Sequence, residues 1–133
     1  MLVKLHGDVH VIMTENATKF IHPITFETLT GNKCLVETFD RNFQFHVAHV
    51  SLGQKADVML IAPATANIIA KIANGIADDM LSTTVLATTA PIIISPAMNT
   101  KMYENKIVQD NIEKCKNYGM EVIDSGVAVL SMH

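Results

Sequence analysis

The sequence predicts an α/β protein built on a three-layer parallel sheet. Two observations carry that prediction. Apolar runs of strand length alternate with segments of helical period. The runs are also almost continuously apolar, as strands become when helices cover both of their faces.

The runs "DVHVIMT" (8–14), "DVMLIAPA" (57–64), "PIIIS" (91–95) and "MEVID" (120–124) read as strands, three of them preceded by a Gly or an Ala-Asp pair that can close a helix. Between them, 65–88 and 105–119 carry the helical patterns. In the first, Ile68, Ile69, Ile72 and Ile76 are spaced to share a face, and Gly75 marks a break. Residues 31–56 are the least periodic stretch, combining Gly, Asn and Asp breakers with three phenylalanines, and read as a loop-rich excursion ending in a short helix near 47–54. The opening "MLVKLHG" reads as the end of a helix. The strand and glycine-rich turn that normally start a doubly wound sheet, offering backbone N–H groups to a phosphate, are therefore expected to be missing.

At 133 residues, 49% of them hydrophobic, and with a mean hydropathy of +0.26, the chain reads as one well-packed domain. The formal charge is −3 and the ten Lys and Arg are scattered, which argues against a nucleic-acid footprint. Cys34 and Cys115 form neither a C-x-x-C pair nor a disulfide-rich pattern, so a reducing cytoplasm is the expected compartment. Lys4, His6, Asp8 and His10 interrupt the N-terminus, and no run is long enough to span a membrane.

Two places at the carboxyl ends of strands can carry chemistry. In "IAPATAN" (61–67), Pro63 stops the ladder, and Thr65 and Asn67 fall at a helix N-terminus, where hydroxyl, amide and N–H groups meet an anion or a polar ring edge; Thr65 as a simple cap explains the same pattern. In "PAMNTKMY" (96–103), Met98 and Met102 could be core filler on a helix, but Asn99 lies between them at a turn, where its amide can bind a carboxylate or carbonyl.

"MTENATKF" (13–20), "ADVMLIAPATANIIAKIANGIADDMLSTT" (56–84) and "PAMNTKMYEN" (96–105) resemble the flavin-dependent cysteine decarboxylase family, in particular its coenzyme A branch. The likeness runs through nearly the whole chain in order, and the combination is far more specific than any one motif. It implies a Rossmann-like (flavodoxin-like) FMN-binding domain over 1–133, incomplete at both ends, that assembles as a homotrimer or a multiple of trimers with flavin between subunits. By position, Thr14, Glu15, Asn16 and Phe20 match the first flavin-contacting turn, and Thr65, Ala66 and Asn67 match the second, with Ala97 in the third loop. Asn99 would hold the substrate carboxylate, and Met98 and Met102 would shape its pocket. His49 in "AHVSLGQKADV" matches the catalytic histidine, whose ordinary pKa of about 6.5 suits proton transfer. His6, His10, His22, His46 and His133 read as surface histidines.

The implied reaction is decarboxylation of 4′-phosphopantothenoylcysteine to 4′-phosphopantetheine. Oxidation of the thiol to a thioaldehyde by FMN gives the departing carboxylate's electrons a place to go, and reduction of the resulting ene-thiol closes the cycle. The sequence departs from the family in "DSGVAVLSMH" (124–133), which keeps Ser125 and Gly126 but has no cysteine where the substrate clamp supplies a proton donor. Two further readings follow: a peptidyl-cysteine decarboxylase that stops at the ene-thiol, and a non-catalytic flavin-binding subunit or inactive fragment.

Overall fold

The computed structural model describes residues 7–36, 51 and 53–123. Among these residues five short strands, all in parallel pairs, form two sheets. In the first, β1 (Ile12–Met13) pairs with β2 (Leu35–Val36). In the second, β3 (Met59–Ala64), β4 (Ile92–Pro96) and β5 (Glu121–Val122) lie in that order. Helix α1 (Pro23–Thr30) links β1 to β2, α2 (Ala66–Asn74) and α3 (Met80–Ala87) link β3 to β4, and α4 (Thr100–Glu104) and α5 (Lys106–Asn117) link β4 to β5. The predicted parallel α/β architecture is therefore present, its strands falling into two pieces among the described residues.

The predicted strand at 8–14 narrows to two paired residues, and the one at 120–124 likewise. The expected excursion at 31–56 is corrected by β2, a strand whose apolar signal is only Cys34, Leu35 and Val36. Helix α1 has no counterpart in the sequence reading. It starts on His22, whose Nδ1 accepts the Ile24 N–H at 3.2 Å, with Pro23 in the first turn where its missing N–H costs nothing. The predicted helix 65–88 divides at Gly75, which takes φ +68° as the left-handed cap of α2. Asp79 then restarts the chain as α3: its carboxylate accepts the Ser82 N–H at 2.7 Å while the Ser82 hydroxyl accepts the Asp79 N–H at 3.1 Å, a reciprocal capping box.

The core lies in the second sheet. Ile61, Ala64, Ile68, Ile69, Ile72, Val85, Ile92, Ile94, Ile112 and Cys115 form one buried cluster, with α2 packed on α5. Residues 53–55 are helical and held against α3, where the Thr88 hydroxyl donates to the Gly53 carbonyl at 2.6 Å. A Cβ on Gly53 would lie 3.2 Å from Thr84 Cγ2, so the close approach uses the glycine. The rest of the expected helix at 47–54, the opening "MLVKLH" and the C-terminal "DSGVAVLSMH" lie outside the described residues.

Candidate functional site

Three polypeptide turns follow the carboxyl ends of β1, β3 and β4. After β1, Thr14 Oγ1 accepts the Ala17 N–H at 3.1 Å and nucleates a short 3-10 turn over Ala17–Lys19. That leaves Glu15 and Asn16 exposed, and Phe20 stands 88% exposed at the end of the turn. An aromatic ring so open to water is a flat surface available to another flat group or another chain.

After β3, Pro63 interrupts the ladder: the register with β4 shifts between Ile61 and Ala64, as a residue without an N–H requires. Thr65 then caps α2, its Oγ1 accepting the Ile68 N–H at 3.3 Å. The capping explanation of Thr65 thus holds, yet it does not exhaust the site. The Ala66 and Asn67 N–H groups carry no hydrogen bond among the described residues, and Thr65 and Asn67 are exposed. Two free N–H groups at a helix N-terminus, flanked by an amide and a hydroxyl with its proton still to give, suit an anion or the carbonyl edge of a heterocycle.

After β4, the Ala97 N–H donates to the Ala64 carbonyl at 2.9 Å, which sets this turn beside the Thr65 turn. Asn99 caps α4: Oδ1 accepts the Met102 N–H at 2.9 Å, while Nδ2 has no partner among the described residues and faces an exposed position. The cap fixes the amide's orientation and leaves its donor free to meet a carboxylate. The two methionines separate. Met98 is 6% exposed and belongs to the core, whereas Met102 is open to solvent. Core filling therefore describes Met98, and Met102 alone presents a thioether at the surface.

The structure brings Thr65, Ala66, Asn67, Ala97 and Asn99 together at one end of the second sheet. Thr14, Glu15, Asn16 and Phe20 follow a strand of the other sheet. His49 lies outside the described residues. Among those residues no group of His, Cys, Asp and Glu is arranged to hold a metal ion, and no helix is long and apolar enough to cross a membrane.

Away from the strand ends, Lys71 Nζ meets Asp78 at 2.9 Å and Asp79 at 3.6 Å. The hydrogen bond to Asp78 raises the Lys71 pKa and lowers that of Asp78. The motif "ANGIADD" thus builds a helix break, an ion pair and a cap. The spacing Asp79-x-x-Ser82 carried the signal for that cap. Cys34 and Cys115 are free, buried and raised in pKa by that burial, which makes them poor nucleophiles.

A family profile described as Flavoprotein matches residues 1–132. The coenzyme A biosynthesis bifunctional protein CoaBC of Bacillus subtilis (strain 168) is 48% identical over 111 residues, 84% of this chain and 27% of that protein. The chain thus spans under a third of this curated relative. The crystal structure of the FMN-dependent cysteine decarboxylase SpaF superposes with a TM-score of 0.78 at 38% identity, covering 91% of this chain and 70% of SpaF. An EpiD variant complexed with a substrate peptide superposes with a TM-score of 0.77 at 28% identity, covering 92% of this chain and 68% of EpiD. With a profile match over residues 1–132, the chain belongs to the flavoprotein family.

Proposed function

We propose that this chain is an FMN-dependent cysteine decarboxylase domain that acts on 4′-phosphopantothenoylcysteine and yields 4′-phosphopantetheine in coenzyme A synthesis. The observation that carries the reading is the pairing of free N–H groups at Ala66 and Asn67 with the free amide donor of Asn99 on adjoining turns. One suits a flavin and the other the carboxylate that leaves. The 48% identity to a coenzyme A biosynthesis protein supports this substrate over others.

The residues present fit FMN. Thr65, Ala66 and Asn67 offer donors to the cofactor's polar edge, Ala97 sits against the same turn, and Thr14, Glu15, Asn16 and Phe20 would supply a second wall. Bound FMN would supply the two-electron sink that converts the cysteine CH2–SH to a thioaldehyde, the group able to accept electrons as CO2 leaves. Asn99 Nδ2 holds the substrate carboxylate at a fixed angle, and Met102 lines its apolar side. Met98 supports that turn from the core. His49 handles the proton at the substrate thiol, a task suited to imidazole near neutral pH. The domain works as a cytoplasmic homotrimer or multiple of trimers, a state supported by the exposed apolar residues Phe20, Ile24 and Leu29.

Purified protein supplied with FMN should be yellow and release CO2 from 4′-phosphopantothenoylcysteine. Its product mass separates the aminothiol from an ene-thiol two hydrogens lighter. His49→Asn should abolish CO2 release and keep the flavin. A colourless protein after FMN addition overturns the flavoenzyme reading, and persistent turnover in His49→Asn overturns the role of His49. A second reading, decarboxylation of a peptidyl cysteine, is favoured by the superposition on the peptide-bound EpiD variant. Turnover of a peptide ending in cysteine, with none of the pantothenoyl substrate, would select it.

A further inference from the structure

Helix α4 is too short to fix its own geometry. A single helical turn is a costly nucleus, because it orders several residues for one or two hydrogen bonds. Helix α4 spans only Thr100–Glu104, and none of its residues is fully buried. The direction of the Asn99 amide nevertheless depends on it. Asn99 Oδ1 accepts the Met102 N–H at 2.9 Å, and the Asn99 carbonyl accepts the Tyr103 N–H at 3.0 Å, so both oxygens of Asn99 are bonded to amides of α4. If the turn loosens, the side chain is released with it.

The other end of α4 is tied to a longer element. Gln109 is the fourth residue of α5, and side chains there lean back toward the helix N-terminus. Its Nε2 donates to the Tyr103 carbonyl at 2.5 Å, one of the acceptors that the end of a helix leaves without a partner of its own. Its backbone N–H donates to the carbonyl of Asn105, the residue joining the two helices, at 3.0 Å, and the Asn105 N–H donates to the Met102 carbonyl at 3.2 Å. Farther along α5, Ile112 and Cys115 are 2% and 0% exposed within the core, and Tyr103 packs partly against the same core. A continuous series of contacts therefore runs from the core through α5 and Gln109 to the Tyr103 carbonyl, and through α4 to Asn99. Gln109 itself is only half-buried, so α5 relies on Ile112 and Cys115 for its place. The side-chain bond of Gln109 serves the turn beside it.

We infer that Gln109 is a positioning residue for the substrate: by holding the Tyr103 carbonyl it keeps α4 wound, and so keeps the Asn99 Nδ2 donor aimed at the substrate carboxylate. The carboxylate's part in this rests on the decarboxylase reading above, whereas the hold on Asn99 rests on the hydrogen bonds alone. A donor fixed before the substrate arrives loses no freedom on binding, and a loose one must first be ordered. Loss of the tie therefore weakens ligands that carry the carboxylate and spares ligands that lack it.

The test is Gln109→Met, which matches glutamine in length and helix propensity but cannot donate to a carbonyl. Amide hydrogen exchange of the full chain without substrate should quicken at least tenfold at Met102 and Tyr103 and stay within twofold at Ile69 and Ile112. In the FMN-loaded protein, KM for 4′-phosphopantothenoylcysteine should rise about tenfold, while inhibition by 4′-phosphopantetheine, which has lost the carboxylate, stays within twofold. Asn99→Ala should raise KM at least as much, and adding Gln109→Met to it should change KM less than twofold, because the two residues act through one donor. Unchanged exchange at Met102 and Tyr103 overturns the proposal. So does equal quickening at Ile69 and Ile112, which would make Gln109 a support of the whole fold. Equal weakening of substrate and product, or an undiminished effect of Gln109→Met beside Asn99→Ala, overturns it as well. A wild-type protein that does not turn over the substrate sinks the decarboxylase reading and the carboxylate's part with it, and the exchange at Met102 and Tyr103 still decides whether Gln109 holds Asn99.

Discussion

The two sheets differ in what holds them. The β3–β4–β5 sheet and its helices contain the whole buried cluster from Ile61 to Cys115, and α2 meets α5 across it. The β1–β2 sheet has two residues in each strand, and among the described residues up to Val36 the buried apolar ones are Met13 and Cys34. Helix α1 buries none of its residues fully, and Ile24 and Leu29 point into solvent. Stability thus resides in the second sheet. The first presents apolar surface whose burial requires something further. That division puts the proposed substrate turn, at Asn99, on the well-packed part.

The comparison breaks most severely at Ile94, which is wholly buried at the centre of β4. Ile94→Ala should cost about 2–5 kcal/mol, since it removes buried methyl groups and leaves a cavity among packed neighbours. Urea unfolding followed by circular dichroism measures it; a loss below 1 kcal/mol would mean that the second sheet is not the stabilising half. A smaller effect belongs to Asp79, whose carboxylate caps α3 and accepts from both the Ser82 N–H and hydroxyl. Asp79→Ala should cost about 1–2 kcal/mol by the same measurement, and Asp79→Asn, which can still cap, should recover most of it.

The Lys71–Asp78 pair is more exposed and contributes less. Its pH dependence has a definite sign. The Lys71 pKa is raised, so its contribution is complete below the unfolded value of about 10.4 and is lost as pH rises through the higher folded value. The Asp78 pKa is lowered, so its contribution is present above about 3.9 and is lost as pH falls through the lower folded value. The melting-temperature difference between wild type and Lys71→Met should therefore be widest between about pH 4 and 10 and close outside that window. It should remain smaller throughout than the Asp79→Ala difference.

The same division explains what could be read in the sequence. The long strands β3 and β4 and the helices α2 and α5 are stabilised by their own apolar patterns, so Ile92–Ile94 and Ile68, Ile69 and Ile72 announce them. Strand β2 and helix α1 carry short or weakly periodic patterns: Leu35 and Val36 are two residues among breakers, and "PITFETLT" lacks a single apolar face. Tertiary context settles those elements, and a linear pattern cannot display it. At the strand ends, the sequence indicated both the capping and the binding roles of Thr65. The structure shows the capping role, the hydroxyl accepting the Ile68 N–H, and leaves the Ala66 and Asn67 N–H groups free for the proposed binding role. For Met98 and Met102, four residues apart, the sequence suggested a shared face. The start of α4 at Thr100 separates them, placing Met98 in the buried turn just beyond β4 and Met102 on the exposed helix.

The smallest expected change in fold stability is at Leu29, and it tests the other half of the comparison. Leu29 lies on α1 at 63% exposure, so its side chain gains little from folding of a single copy. Leu29→Lys should therefore alter monomer stability by no more than about 0.5 kcal/mol. If the exposed face of α1 is instead covered in a homotrimer, the introduced ammonium loses hydration there, and the assembly weakens while the monomer's fold does not. Light scattering over a dilution series should show Leu29→Lys dissociating at higher concentration than wild type. Equal dissociation would mean that α1 stays in water throughout, and the surface that joins subunits would have to be sought around Phe20, at the end of the turn that follows β1.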